Sequence, residues 1–452
     1  MKHLFLKGTI LTVSGMLLLG GCSAAHREDA MQETGAVSQE ASEEESMGAD
    51  SFGQGIAGQE PSERPAPDTD TKKTADGSVP TIRFTQERKE WYAEDGKVLL
   101  YTAETSRGRV LNEGFDALQA SLDGQWKGPG DDEQEAECVK EYYDTITEEE
   151  AKHFVSWGSD GRVEICRIDD RVVSLREHFS GFFGGAHGTY GTIGRTYDVE
   201  SGAELQLEDI LSEPKGFYDK AFPYIIAQLA EHYEKSIYPD YAEIVRTDTF
   251  GETPASWYLD NTGIVIDYQL YQIAPYAGGM QTVTLPYDEF AAYIKEDYLM
   301  QRDSFVASVE VNQAVSGLPA GTGEIMLTAE YLEGHSGMEV TVVSGDVRET
   351  VGIVGYVFDA YVFRRADGRS FLIFYCEDIS EDTSKVHAAY VYEVTGGNVR
   401  ACDRLEGASW SGACLGMDRI GISMYADVGT YQDETVYRLT DDGKLIPEKV
   451  IK

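Results

Sequence analysis

Hydrophobic residues are distributed unevenly along the 452-residue chain. A short apolar run near the N-terminus is followed by a polar stretch, and from about Thr81 apolar residues recur with the periods of strands and helices. A period of two is typical of a half-buried strand, and spacings of three or four residues are typical of an amphipathic helix. Both patterns occur between residues 81 and 300, which predicts an α+β fold with helices packed on an antiparallel sheet.

Helical spacing marks three segments before residue 300. Residues 217–233 place their apolar side chains on a single helical face, and the same spacing predicts helices over 110–122 and 290–299. The segment 128–137 is acidic and polar, so we expect a surface insertion there.

Short apolar or alternating stretches bounded by Gly, Asn and Asp turns predict strands. Before residue 300 these cover 98–103, 162–168, 172–179, 196–199, 257–259, 264–271 and 283–287. From about Ser304 the chain has strand and turn signals with little helical spacing. The last third is therefore predicted to be a mostly antiparallel, β-rich C-terminal domain.

The first 22 residues have the features of a lipoprotein signal. Lys2 and Lys7 precede an apolar run that is shorter than the about 20 apolar residues needed to cross a bilayer, and residues 19–22 read Leu-Gly-Gly-Cys. This pattern predicts a signal peptide over 1–21 and lipidation of Cys22. We therefore expect an extracytoplasmic protein, anchored by lipid to the outer face of the cell membrane. The alternative is an ordinary signal peptide with an incidental cysteine.

The remaining chain divides into a tether and three predicted domains. Residues 22–80 are rich in Glu, Ser, Gly, Ala, Pro and Thr, and cannot bury enough apolar area to offset the entropy of ordering, which predicts a disordered acidic tether. An α+β module is expected over 81–187, a second over 188–300, and the β-rich domain over 301–452.

The net charge of −41 narrows the range of partners. Residues 23–80 hold only 13 acidic and 4 basic residues, so most of the excess belongs to the folded part. Such a surface repels phosphate backbones, which argues against nucleic acid, and it attracts cationic proteins. An acidic surface that only keeps an exported protein soluble is the alternative.

Motifs of catalysis and metal binding are missing from the sequence. No Gly-x-Ser-x-Gly elbow, His-Glu-x-x-His pair or Cys-x-x-Cys spacing occurs, so we expect no metal, no cofactor and no enzymatic activity. Beyond Cys22, a disulfide could join Cys402 to Cys414 or Cys138 to Cys166, with buried free thiols as the alternative.

Candidate binding residues lie in a glycine-rich loop and an aromatic-rich hairpin. A lone histidine such as His187 is more often structural, with a ring nitrogen bonded to a nearby carbonyl, but the glycines around it also let a ligand approach the backbone. Tyr190 follows this loop, and Tyr271, Pro275 and Tyr276 lie in the hairpin region. About half of the hairpin aromatics are expected in the core; exposed ones beside an acidic rim would form a protein-binding or sugar-stacking surface.

Three segments carry a family resemblance through their order and spacing. They are residues 183–188 (Phe-Gly-Gly-Ala-His-Gly), residues 197–210 with the Leu-Gln-Leu-Glu-Asp-Ile continuation, and residues 268–290 with Ala-Pro-Tyr-Ala-Gly-Gly and Leu-Pro-Tyr-Asp-Glu-Phe. Together they resemble the extracellular part of the RsiV-type anti-sigma factors. The same pair of modules, of unknown function, precedes the catalytic domain in some peptidoglycan deacetylases.

The resemblance covers about half of the chain and implies recognition. In the RsiV-type family, the extracellular region can bind lysozyme, a cationic wall hydrolase, and release a sigma factor. No spanning helix, sigma-binding segment or deacetylase domain is evident in this sequence, so only recognition is expected to carry over. We therefore predict a lipid-anchored envelope protein that binds a cationic protein such as lysozyme, or wall glycan (peptidoglycan). The alternative is a peptidoglycan-modifying enzyme or an accessory subunit of one.

Overall fold

The computed structural model describes most of the chain beyond residue 78. The described residues are 79–125, 130–233, 235–250, 256–300, 303–315, 318, 324–332, 337–379, 385–409, 414–416, 419–427, 430–431 and 435–448. The predicted signal peptide, Cys22 and the acidic tether as far as residue 78 lie outside the described residues.

Five long strands and three helices form the first part of the fold. The strands are β1 (Ile82–Tyr92), β2 (Leu99–Val110), β3 (Trp157–Ile168), β4 (Val172–Phe182) and β5 (Thr189–Asp198). The helices, all between β2 and β3, are α1 (Asp116–Gln125), α2 (Gly130–Thr145) and α3 (Glu148–Ala151). Strands β2 and β3 pair in parallel, because the helical connection returns the chain to the same end of the sheet. The pairs β1–β2, β3–β4 and β4–β5 are antiparallel.

A smaller sheet with its own helices follows. The helices are α4 (Leu207–Ile210), α5 (Pro214–Tyr233), α6 (Tyr241–Phe250) and α7 (Tyr287–Phe290), and the strands are β6 (Ser256–Leu259), β7 (Gly263–Tyr268) and β8 (Gln281–Pro286). The three strands form an antiparallel sheet in the order β6-β7-β8. The predicted helix over 217–233 is confirmed within α5, which buries Phe217, Ala221, Ile225 and Leu229 on one face.

The remaining described chain is almost entirely strands. They are β9 (Phe305–Ser308), β10 (Ile325–Tyr331), β11 (Met338–Ser344), β12 (Val347–Arg364), β13 (Ser370–Ile379), β14 (Lys385–Thr395), β15 (Asn398–Glu406), β16 (Ala408–Ser409), β17 (Cys414–Gly416), β18 (Arg419–Asp427), β19 (Thr430–Tyr431), β20 (Thr435–Leu439) and β21 (Leu445–Pro447). Strands β10 to β15 form an antiparallel meander.

One large sheet joins the early and late strands. Strand β9 pairs with both β3 and β12, and β17 pairs with β1, so 18 of the described strands share the sheet. The predicted α+β fold, with helices on an antiparallel sheet followed by a β-rich region, is confirmed. Among the described helices, none has the length and apolar character needed to span a bilayer.

Three local predictions are wrong. Within the segment 128–137, predicted as an insertion, the described residues 130–137 are helical, and α2 buries Ala136 and Val139 against β2. The helix predicted over 110–122 begins only at Asp116, because β2 continues to Val110.

No long helix covers 290–299. Helix α7 ends at Phe290 and only short 3₁₀ turns follow. The backbone there bonds instead to the end of α4 and the residues after it: the amide of Ser212 donates to the carbonyl of Tyr293, and the amide of Lys295 donates to the carbonyl of Ile210.

Candidate functional site

Four of the five predicted binding residues lie together. The ring of His187 stacks on Tyr276, with ring centroids 3.9 Å apart and an interplanar angle of 23°. Tyr190 meets Tyr276 edge-on at 6.2 Å, and Tyr271 lies 5.9 Å from it. The Tyr271 hydroxyl is 3.4 Å from Nε2 of His187. We call these four side chains the aromatic cluster.

The aromatic cluster is on the surface. Tyr190 is 41% exposed and Tyr271 is 49% exposed, and His187 is exposed between them. Pro275, the fifth predicted residue, is exposed and precedes the 3₁₀ turn Tyr276–Gly278. The other hairpin aromatics are buried, as expected for part of the set: Trp257, Tyr258, Tyr268 and Tyr287. Binding by the five residues stays a prediction.

Glycines shape the loop that carries His187. Gly184 has a φ of 71°, in the left-handed region, and a Cβ there would lie 2.4 Å from the ring of Trp157. Only glycine lets the backbone pass so close to the indole. Nδ1 of His187 lies 2.9 Å from the carbonyl of Gly188, the structural contact that the sequence allows for. When Nδ1 donates, Nε2 of the neutral ring accepts from Tyr271.

Side-chain amides hold the hairpin loop in place. The amide of Thr192 donates to Oε1 of Gln269 at 3.0 Å, and Nε2 of Gln269 donates to the Thr192 carbonyl at 2.8 Å, which ties the loop to β5. Nε2 of Gln281 donates to the carbonyls of Gly278 and Gly279 at 2.9 and 2.7 Å. Tyr271 takes a φ of 64°, unusual for a bulky residue, and this conformation belongs to the turn that places its ring beside His187.

Asp267 fixes the base of the same hairpin. Its carboxylate is fully buried and accepts from Nε and Nη2 of Arg176 at 2.9 and 3.2 Å. The hydroxyls of Thr192 and Thr282 donate to it, each at 2.7 Å. This network joins β4, β5, β7 and β8, the strands that flank the two loops of the aromatic cluster. A buried ion pair was not predicted, because an Asp at the end of an apolar strand gives no sign of its partner 91 residues away.

An open groove of about 560 Å³ adjoins the aromatic cluster and shares Tyr190 and Tyr276 with it. A row of side chains crosses five strands along this groove. The register places Arg88 opposite Glu104, Glu104 opposite Asp160, Asp160 opposite Ser180 and Ser180 opposite Tyr190. Residues opposite each other in register lie on the same face of a sheet. We call these five residues, all of which line the groove, the polar row.

An ion pair and a hydrogen bond join neighbouring residues of the polar row. Nη1 of Arg88 is 2.8 Å from Oε1 of Glu104, and the Ser180 hydroxyl donates to Oδ1 of Asp160 at 3.4 Å. Arg162, beside the row, lies 3.8 Å from Asp160. The sequence indicates which residues of a strand share a face but not which strands are neighbours, so the polar row was not predicted.

A second cleft, of about 460 Å³, lies over β12 and is lined by Glu164, Glu310 and Asp359 with exposed Tyr331 at its edge. Burial and the nearby Glu164 raise the pKa of Asp359 to about 7. The register of β12 shifts between Val357 and Asp359, a bulge of the kind that redirects side chains next to functional sites.

Metal and thiol chemistry find little support among the described residues. No group of three or more His, Cys, Asp or Glu side chains there could hold a metal ion. Cys166 and Cys402 are free and buried, so neither disulfide that the sequence allows is formed; Cys138, by contrast, is exposed. Burial raises the pKa of the Cys166 thiol, which keeps it protonated and unreactive.

Comparison with known proteins identifies one domain. Residues 208–288 match the family model described as "Protein of unknown function (DUF3298)". No curated protein matches the chain. A crystal structure of a DUF3298 family member from Bacteroides fragilis is similar over 50% of this chain and 96% of its own, with 18% identity and a TM-score of 0.38. One from Pseudomonas aeruginosa is similar over 49% and 96%, with 20% identity and a TM-score of 0.35.

The matched range runs from α4 to α7. It contains the hairpin and the loop that carry Tyr271 and Tyr276, whereas His187, Tyr190 and the rest of the polar row come from strands and loops that precede it. The chain thus contains a DUF3298 domain, residues 208–288.

Proposed function

We propose that this protein is an extracytoplasmic, lipid-anchored binding protein of the bacterial envelope, with a binding module of the RsiV type. Its ligand is a cationic protein such as lysozyme, or the wall glycan. The observation that carries the proposal is the aromatic cluster, in which side chains up to 89 residues apart converge on one exposed patch beside an open groove.

Exposed, ordered tyrosines suit a binding role. Tyrosine is enriched at energetically important positions of protein interfaces, because its ring offers a large contact area with few rotatable bonds. Most of the hairpin aromatics are buried, which leaves Tyr271 and Tyr276 as side chains that the core does not require. Their loop is fixed by Gln269 and Gln281, so little ordering would be needed on binding.

The charge of the chain supports a cationic partner. With a formal net charge of −41, the protein would attract a basic protein over long range, and salt would screen that attraction. The predicted lipidation at Cys22 and the acidic tether would hold the binding surface within reach of the wall and of enzymes that act on it.

The test is binding of the full chain, in detergent, to immobilised lysozyme and to purified wall sacculi. We expect lysozyme binding that weakens at high salt, sacculus binding, or both, and loss of binding in the double variant Tyr271→Ala/Tyr276→Ala. Leu111→Ala removes a bulky side chain that is 46% exposed and lines neither the groove nor the second cleft, and it should bind as the unchanged protein does. Binding of neither ligand, or equal binding by the double variant, would refute the proposal.

A wall-modifying enzyme is the second candidate, and Asp359 favours it. A carboxyl with a pKa of about 7 can donate a proton near neutral pH, as general acid catalysis requires. The test is incubation with sacculi, followed by analysis of released or deacetylated muropeptides. Activity lost in Asp359→Asn but kept in His187→Ala would assign it to the second cleft; no altered muropeptide would eliminate this candidate.

A further inference from the structure

The two carboxylates of the polar row differ from most acidic groups of this chain, in which acids far outnumber bases, because each has a cation close to it. Its Arg88 is paired with both Glu90 and Glu104, and its Asp160 lies near Arg162, so each carboxylate of the row has a cation beside it. A cationic protein surface would be drawn to carboxylates without a nearby cation, which the polar row does not offer. The row therefore does not select its ligand mainly by charge.

The row combines groups that donate hydrogen bonds with groups that accept them. A guanidinium, two carboxylates and a hydroxyl follow one another across the strands, and the row ends at the half-exposed ring of Tyr190. Sugar hydroxyls both donate and accept hydrogen bonds, and the C–H face of a pyranose packs on an aromatic ring. His187 covers one face of Tyr276, so Tyr190 is the more open platform.

The shape of the groove fits a polymer. Neighbouring strands lie about 4.8 Å apart, so a row across five strands spans about 19 Å. The groove is shallow and open, unlike the enclosed pockets that bury most of a small ligand. A chain of several sugar rings could lie along it and leave at either end.

We propose that the polar row binds an uncharged polysaccharide, with one pyranose ring packed on Tyr190 and the next sugars hydrogen-bonded by Asp160, Ser180 and the Arg88–Glu104 pair. This inference rests on the proposed function, because it names the ligand class of the groove beside the aromatic cluster. It chooses glycan over a cationic protein for this surface.

The test is isothermal titration calorimetry of the full chain, in detergent, with a hexamer of N-acetylglucosamine. We expect saturable binding that weakens at least tenfold in Asp160→Ala and Tyr190→Ala. Ser180→Tyr should also block binding, because Ser180 is exposed and a larger side chain there fills the groove without disturbing the core. Leu111→Ala, at a bulky exposed side chain that lines neither the groove nor the second cleft, is the matched control and should bind like the unchanged chain. Circular dichroism melts establish that each variant is folded.

The outcomes separate this inference from the proposed function. Absence of hexamer binding, or unchanged affinity in folded Asp160→Ala and Ser180→Tyr, overturns the polysaccharide site. If lysozyme still binds through Tyr271 and Tyr276 in that case, the proposed function stands and only its ligand class at the groove is wrong. If neither lysozyme, sacculi nor hexamer binds, both fail.

Discussion

Asp267 and Asp359 lie in two regions of the molecule and have opposite surroundings. One aspartate has hydrogen-bond and ion-pair partners, and the other has none among the described residues. Asp267 is fully buried, and its carboxylate accepts hydrogen bonds from Arg176 and from the hydroxyls of Thr192 and Thr282. Asp359, in the second cleft, is only partly buried, and its side chain has no hydrogen-bond or ion-pair partner among the described residues. Glu164 and Glu310 line the cleft with it.

The contrast shows that the effect of burial on a carboxylate depends on the hydrogen-bond and ion-pair partners that surround it. Matched donors let the fully buried Asp267 join four strands, whereas burial without such donors, next to Glu164, raises the pKa of Asp359 to about 7. In a chain with 79 acidic residues, the count of acids therefore says little about what any one does. The carboxylates are distinguished by the cations and hydroxyls around them.

The largest expected effect comes from removing the partnered carboxylate. Asp267→Ala leaves the Arg176 guanidinium, whose side chain is 19% exposed, without its counter-ion, and we expect a loss of about 3–5 kcal/mol in the free energy of unfolding. Urea denaturation measures it. The control is Glu87→Ala, which breaks an exposed pair with Arg107 and should cost less than about 1 kcal/mol. Equal effects of the two variants would contradict the role given to this network.

Asp359→Asn should act in the opposite direction. The folded protein keeps the Asp359 proton to about pH 7, whereas an ordinary aspartate releases it near 3.8, so the folded state binds more protons in that window and stability falls as pH rises through it. Asparagine removes this loss, and at pH 8 we expect a gain of up to roughly 4 kcal/mol over the unchanged chain.

Thermal melts of both proteins from pH 4 to pH 8 test this. The difference in melting temperature between them should be small at pH 4 and grow with pH. A difference that is constant with pH would mean that Asp359 is ionised in the folded protein throughout.

The two regions also differ in how far the sequence predicts them. The residues of the aromatic cluster were named as candidates from the sequence. Gly184 and the glycines near His187 indicate an unusual loop, and Tyr271 and Tyr276 lie in a turn-rich segment. Helix α5 was predicted because its buried residues, Phe217 to Leu229, recur at helical spacing over about three turns. Asp267, the polar row and the cleft at Asp359 depend on which strands are neighbours, and no local pattern contains that information.

The mistaken segments have a physical cause. Most residues of α2 are acidic or polar, and its buried residues, Ala136 and Val139, pack on β2. The composition therefore predicts a loop, although burial of these two residues stabilises a helix. After Phe290 the apolar spacing is helical, but backbone bonds to the end of α4 and the residues after it replace the helical ladder. In both places tertiary contacts decide the outcome.

A smaller effect on stability is expected from Gln269, which holds the hairpin loop in place but is not itself part of the aromatic cluster. Gln269→Ala removes two hydrogen bonds between the hairpin loop and Thr192, and we expect a loss of about 1–3 kcal/mol in the free energy of unfolding. Ligand binding should weaken as well, because Tyr271 is two residues away and loses its fixed position. Denaturation and binding measured on one preparation test this, with exposed Gln86→Ala as control. Weaker stability with unchanged binding would show that the loop does not position the aromatic cluster.

The smallest expected effect on stability comes from substituting Tyr271 in its strained turn. The free energy of unfolding should change little, whereas ligand affinity should be lost. A tyrosine at a φ of 64° is strained, and glycine is not, but glycine also gains freedom in the unfolded chain. Tyr271→Gly should therefore change the free energy of unfolding by no more than about 1 kcal/mol, in the stabilising direction relative to Tyr271→Ala, which keeps the strain and lacks the ring. Both variants should lose ligand affinity equally, because both lack the ring. If the glycine variant binds while the alanine variant does not, the turn conformation and not the ring carries recognition, and the aromatic cluster would lose its place in the proposed function.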